Sequence, residues 1–250
     1  MKRQNLRKLL LILAMLLFPI TIWYFSPALI IMGALEGIIN GSFIVFIGMF
    51  VFSIFFGRFF CGYLCPMGGL QECLEAVNDK SPRQGWKNYI KYVIWIIWIG
   101  IIVFCFVNKG KIVKIDFLYK TDHGISIANI YSYIIYYGVI LLVLIPAIVS
   151  GKRVFCHYIC WMAPFMTAGI KFRRLLHLPG LYVKADQDKC ISCMICNKKC
   201  PMGLDVCKMA KTGACDSLEC IQCGVCIDSC PKKVLGYSMK PQNNKSNKRR

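Results

Sequence analysis

A chain of 250 residues that is 57% hydrophobic, with a mean hydropathy of +0.54, is too apolar for an ordinary soluble domain. Its formal charge of +19 would suit nucleic acid, but apolar runs make a membrane surface the better match, and no nucleic acid is expected. The chain carries no Rossmann glycine fingerprint and no P-loop, so nicotinamide and ATP chemistry have no support in it.

Apolar runs at residues 9–25, 43–60, 92–107 and 131–149 each approach bilayer length and predict four transmembrane helices. The basic head before the first run reads as the flank of an uncleaved span, since Ser26-Pro27-Ala28 is a poor cleavage site. Basic residues number four in the N-terminal tail, five from Arg58 to Lys91 and eighteen after Gly151. The loops between them hold none and four. That bias predicts a multi-pass protein of the cytoplasmic membrane with both termini inside. Residues 154–170 are apolar enough for a fifth span, but His157, Pro164 and two cysteines predict an interfacial or re-entrant piece.

An internal repeat with an offset of 95 pairs Arg58 with Arg153, Phe60 with Phe155, Cys61 with Cys156, Tyr63 with Tyr158 and Cys65 with Cys160. Residues 1–170 therefore read as a membrane domain of two duplicated hairpins. On a helix, thiols at i and i+4 share one face about 6 Å apart. Two such pairs suit Cu(I), iron, a further cluster or a dithiol–disulfide couple, or they are four inert buried thiols. The residues leave that choice open. Arg58 and Arg153 either snorkel or stabilise thiolates.

After Lys171 the chain turns polar and cysteine-rich, predicting a second domain over 171–240 and a disordered basic tail over 241–250. Cys190-x2-Cys193-x2-Cys196-x3-Cys200-Pro201 recurs thirty residues on as Cys220-x2-Cys223-x2-Cys226-x3-Cys230-Pro231. This is the bacterial-type spacing for two [4Fe–4S] clusters, in which the fourth cysteine ligates the other cluster. Cluster 1 is expected on Cys190, Cys193, Cys196 and Cys230, and cluster 2 on Cys220, Cys223, Cys226 and Cys200. Structural zinc is the alternative, and the tandem spacing matches it poorly. So small a domain leans on its clusters for folding. The fold class expected is mainly α: a four-helix transmembrane domain followed by a small α+β 2[4Fe–4S] ferredoxin domain.

Gly57-Arg58-x-Phe60-Cys61-Gly62-Tyr63-Leu64-Cys65-Pro66-x-Gly68, the second CxxxC and the two ferredoxin runs together resemble the NapH-type family of membrane polyferredoxins. That family includes the quinol-dehydrogenase subunit of the periplasmic nitrate reductase system. Its relatives include the membrane domain of the nitrous-oxide reductase maturation flavoprotein and the oxidase-assembly copper reductase. The resemblance covers nearly the whole chain and implies four spans, cytoplasmic clusters and electron transfer to a membrane or periplasmic acceptor. The family's paired CxxxCP motifs fall on Cys61, Cys65, Cys156 and Cys160, but Trp161 stands where the second motif has proline.

Cys73, Cys105, Cys207 and Cys215 fit no ligand spacing and read as filler. His123, His157 and His177 lie outside clear spans, so haem is not expected. Glu36, in an apolar stretch, is either a quinol-proton group or a headgroup-level carboxylate. The function expected is electron transfer between a membrane carrier, most simply a quinol, and a partner oxidoreductase. Such a protein is a quinol dehydrogenase or an electron-transfer subunit. The alternative is copper reduction or assembly for a client enzyme through the CxxxC pairs.

Overall fold

The computed structural model describes residues 2–82 and 85–239. The expected tail over 241–250 lies outside them. The chain begins with α1 (Lys2–Leu16), followed by α2 (Phe18–Thr21) and a 3-10 turn to Phe25. The first apolar run is thus not one straight helix. Its two parts bend by 58°, and Pro19, which has no N–H to donate, sits at the break. Helix α3 (Pro27–Glu36) opens on a Ser26 cap and Pro27, and it closes on Gly37 at φ 73°. Asn40 then caps α4 (Gly41–Phe56) by accepting from the Phe43 N–H.

Short helices α5 (Phe59–Tyr63) and α6 (Pro66–Cys73) lead to the long α7 (Ile90–Lys109). After α8 (Ile130–Ser150), the chain makes α9 (Val154–Tyr158) and α10 (Ala163–Leu175). Two helical stretches are long and apolar enough to cross a membrane, Trp86–Lys109 and Ile130–Ser150, and the bent N-terminal pair is a third if counted as one span. Helix α4 is apolar but only 16 residues long.

The 95-residue repeat is visible in space. Helices α5 and α9 occupy matching positions, Phe59–Tyr63 and Val154–Tyr158. Each is followed by a helix that begins just after the second cysteine and turns back along the bundle. In the first repeat, α6 lies against α1, with Gly69 beside the Leu11 carbonyl. In the second, α10 lies against α4, with the Phe165 ring 5.0 Å from Phe46 and Gly169 packed on Ser53. Residues 154–170 therefore form two buried helices that fold back into the molecule. Strands β1 (Ile38–Asn40) and β2 (Lys114–Asp116) pair in parallel and tie two loops together.

The cysteine-rich unit is built on a three-stranded sheet. Strand β3 (Tyr182–Ala185) lies between β4 (Ala214–Cys215) and β5 (Leu235–Ser238), antiparallel to both. Around it sit α11 (Ile195–Lys198), α12 (Val206–Ala210) and α13 (Val225–Asp228). Helices α11 and α13 keep the thirty-residue offset, and so does the backbone before them. Ser192 and Gln222 have φ 55° and 54°, and Met194 and Gly224 have φ 61° and 72°. Equal cysteine spacing has produced equal loops.

This unit docks on the helical domain beside the chain's start. Arg3 donates to Asp228 Oδ2 at 3.1 Å, and Gln4 donates to the Cys223 carbonyl at 3.1 Å. The N-terminus and the cysteine-rich unit thus share one end of the molecule.

Candidate functional site

The thiols gather into three groups. Cys190, Cys193, Cys196 and Cys230 line one cavity, together with Pro231 and Val234. Cys200, Cys220, Cys223 and Cys226 line a second, with Val183, Leu204 and Ile221. In each, three thiols come from one loop and the fourth from the other run. Burial pushes the metal-free thiols up: Cys200 to about 11, and Cys220 and Cys226 further. Loading a metal there must displace their protons. Two cysteines that spacing treats as filler also line these walls, Cys207 in the first cavity and Cys215 in the second. Their run-free positions give no sequence signal. Cys73 is exposed, and Cys105 is buried in α7.

The third group is Cys61, Cys65, Cys156 and Cys160, each no more than 3% exposed. The two repeats interlock here. Cys61 Sγ approaches Met166 Sδ at 3.4 Å, and Gln71 Nε2 donates to Cys156 Sγ at 3.0 Å. Each contact is the other shifted by the repeat offset, so the two motifs are related by a pseudo-twofold axis. Met67 and Met162, two residues after Cys65 and Cys160, are also buried in this cluster. They obey the same offset and were readable from it; Gln71 and Met166, of different types, were not. Trp161 donates its indole N–H to the Phe25 carbonyl at 2.9 Å and packs edge-on to Phe155. The departure from proline there has a structural use.

The second cavity rests directly on this chamber. A Cβ on Gly62, next to Cys61, would lie under 3.0 Å from the Ile221 carbonyl oxygen and 3.4 Å from the Cys223 nitrogen. Tyr63 Oη also donates to the Cys223 carbonyl at 3.5 Å. At the matching position of the second repeat stands His157, fully buried, with Nδ1 3.8 Å from Glu219 Oε2. The loop that carries Cys220 and Cys223 therefore touches both CxxxC motifs.

Two buried charge groups hold this arrangement. Glu219 accepts from Arg58 at 2.7 Å and from Lys91 at 2.7 Å, and both cations are wholly buried. Burial alone would push the Glu219 carboxyl up, but Arg58 and Lys91 hold it below the usual carboxylate range. Burial keeps His157 neutral, down to about 4, although Glu219 pulls the other way. Neither ring nitrogen of His157 has a hydrogen-bond partner among the described residues. Across the chamber, Glu72 accepts from Arg153 at 2.9 Å and from Arg7 at 3.1 Å. Burial opposes its ionisation, yet the two guanidiniums pull the carboxyl down to about 2. Arg58 and Arg153 are thus ion-paired inside the fold, Arg58 with Glu219 of the cysteine-rich unit and Arg153 with Glu72 of α6. Glu36 lies at the far end, exposed, and accepts from Tyr119 Oη at 2.8 Å.

A family profile described as a 4Fe-4S binding domain, Fer4_5, matches the chain at residues 41–84 and 132–179. The two stretches are the two spatial repeats, and each contains one CxxxC motif. The chain is 26% identical over 208 residues to an uncharacterized protein of Methanocaldococcus jannaschii, covering 78% of this chain and 70% of that one. Another from the same organism is 26% identical over 175 residues, 62% of this chain and 63% of its own length. Proteins RdxA and RdxB of Cereibacter sphaeroides are 25% and 27% identical to it over 76% of this chain. The chain spans only 43% of either Rdx protein. No solved structure matches it. The class these findings support is an iron–sulfur redox protein, and the two long apolar helices suggest a membrane protein.

Proposed function

We propose that the chain is a NapH-type membrane protein that moves electrons between a quinol and a partner oxidoreductase. The observation that carries this reading is the sorting of eight cysteines into two cavities, four and four, with the fourth thiol exchanged. Cys190, Cys193, Cys196 and Cys230 would hold cluster 1, and Cys220, Cys223, Cys226 and Cys200 cluster 2. The thiols surround a space rather than a point. The tandem spacing, with each quartet completed from the other run, favours a four-iron cubane over zinc. When bound, such clusters supply one-electron steps. Two of them match the two electrons released, with two protons, by one quinol.

On this reading the bent N-terminal pair and the shorter α4 cross the membrane along with α7 and α8, and the clusters and N-terminus lie on the cytoplasmic face. The hydrocarbon core is about 30 Å thick, so clusters at one face need a further stop to serve the other. Cys61, Cys65, Cys156 and Cys160, folded back into the bundle, would supply that stop by holding a soft metal or a further cluster, or by cycling between dithiol and disulfide. A second reading, copper handling for a client enzyme, is favoured by one observation: the 3.4 Å approach of Cys61 to the Met166 thioether, a soft donor pair.

Quinol added anaerobically to the oxidised protein in lipid bilayers is expected to produce the EPR signals of reduced clusters. Clusters that dithionite reduces but no quinol does would sink the quinol reading. The double variant Cys61→Ser/Cys156→Ser separates the alternatives. Quinol oxidation that survives in it, together with loss of Cu(I) binding, selects the copper reading.

A further inference from the structure

The loop that precedes Cys220 also walls a groove of about 960 Å³ on the flank of the bundle. The opposite walls are Tyr92, Trp95 and Ile96 of α7 and Lys171 and Arg174 of α10. Its size is in the range that holds a small organic ligand.

Three properties restrict the occupant. Val93, Ile96 and Ile97 are 56%, 64% and 60% exposed on a helix apolar enough to cross a membrane. The mouth therefore opens beside a lipid-facing surface, and a ligand dissolved in the bilayer reaches it directly. The wall is aromatic, with Tyr89, Tyr92 and Trp95 along it. A flat ring packs on such a wall. Finally, most charges in the groove are already matched. Arg174 pairs with Asp216, Glu219 pairs with Arg58 and Lys91, and among the described lining residues only Lys171 is left, 5.9 Å over the Tyr92 ring. A phosphate headgroup would find one uncompensated cation, which is a poor anion site.

We propose that this groove seats the ring of a lipid-tailed quinone or quinol. The assignment rests on the electron-transfer reading above and gives it a location, because the wall residue Glu219 is covalently next to Cys220. The ring is thereby held against the cluster 2 loop, while the tail leaves past Ile96 toward lipid.

The test uses the iron-loaded full chain in phosphatidylcholine nanodiscs and a photoreactive azido-quinone. Label is expected on peptides that carry residues 89–96 and 216–219, and excess unlabelled quinone should remove it. Ile96→Trp, which changes an exposed side chain at the mouth, and Trp95→Leu, at the wall, should each weaken quinone binding by about fivefold or more with iron content unchanged. Unchanged affinity in both, or label confined elsewhere, overturns the site. If quinol still reduces the clusters then, the electron-transfer reading survives without it. Displacement of the label by phosphatidylglycerol but not by quinone assigns the groove to a phospholipid and overturns the proposal. A wild-type protein that neither binds quinone nor is reduced by quinol removes both.

Discussion

Glu219→Gln is expected to destabilise the protein by about 3–5 kcal/mol, the cost of breaking a buried ion pair from one side. Glutamine keeps the shape and one acceptor, so the change isolates the charge. Arg58 and Lys91 are each 0% exposed in their side chains and share this one carboxylate. Without it, two cations stand uncompensated beneath the loop that carries Cys220. Two nitrogens of Arg58, Nε and Nη2, already lack partners among the described residues. The readout is a lower thermal unfolding midpoint of the loaded protein, with loss of iron at a lower temperature. The exposed pair Lys114–Asp116 is the contrast, its lysine 63% exposed. Asp116→Asn should change stability by no more than about 0.5 kcal/mol. Equal, small effects at both places would mean that Glu219 does not hold the two units together.

Gly62→Ala is expected to cost about 3 kcal/mol, and the reason is steric rather than electrostatic. The added methyl would press on the Ile221 carbonyl and the Cys223 backbone, which are main-chain atoms that no rotamer change can move away. Either α5 or the loop that carries Cys220 and Cys223 must shift, and the Tyr63 contact to the Cys223 carbonyl goes with it. Iron bound by the second quartet should fall more than iron bound by the first. Gly48→Ala supplies the control, because nothing lies within 4 Å of that position inside α4. There alanine removes a helix-weakening glycine and should be neutral or stabilising by up to about 1 kcal/mol. If the two substitutions behaved alike, the close seating of the cysteine-rich unit on the first CxxxC motif would be wrong.

Much of this architecture was legible in local spacing. The thirty-residue offset predicted matching loops, and matching left-handed turns at Ser192 and Gln222 are found. The 95-residue offset predicted related hairpins, and α5 and α9 keep its register. Long apolar runs became α7 and α8 with bounds moved by only a residue or two. The first run reads as one straight span in sequence but is a bent pair, because Pro19, whose missing N–H permits the 58° bend, lies within it. What spacing could not show was pairing at long range. Lys91 meets Glu219 across 128 residues, and Arg58 meets it across 161. A lone glutamate beside Cys220 looks like a surface charge until the fold buries it. Cys207 and Cys215 likewise join cavity walls through tertiary packing, with no motif to announce them.

The central claim is that eight thiolates cage two iron–sulfur clusters, and chemical analysis of anaerobically purified protein tests it most directly. The account predicts brown material with about eight iron and eight acid-labile sulfide per chain. Cys193→Ala and Cys223→Ala should each remove about half of both. Colourless protein without labile sulfide, or one zinc per quartet in its place, would contradict it.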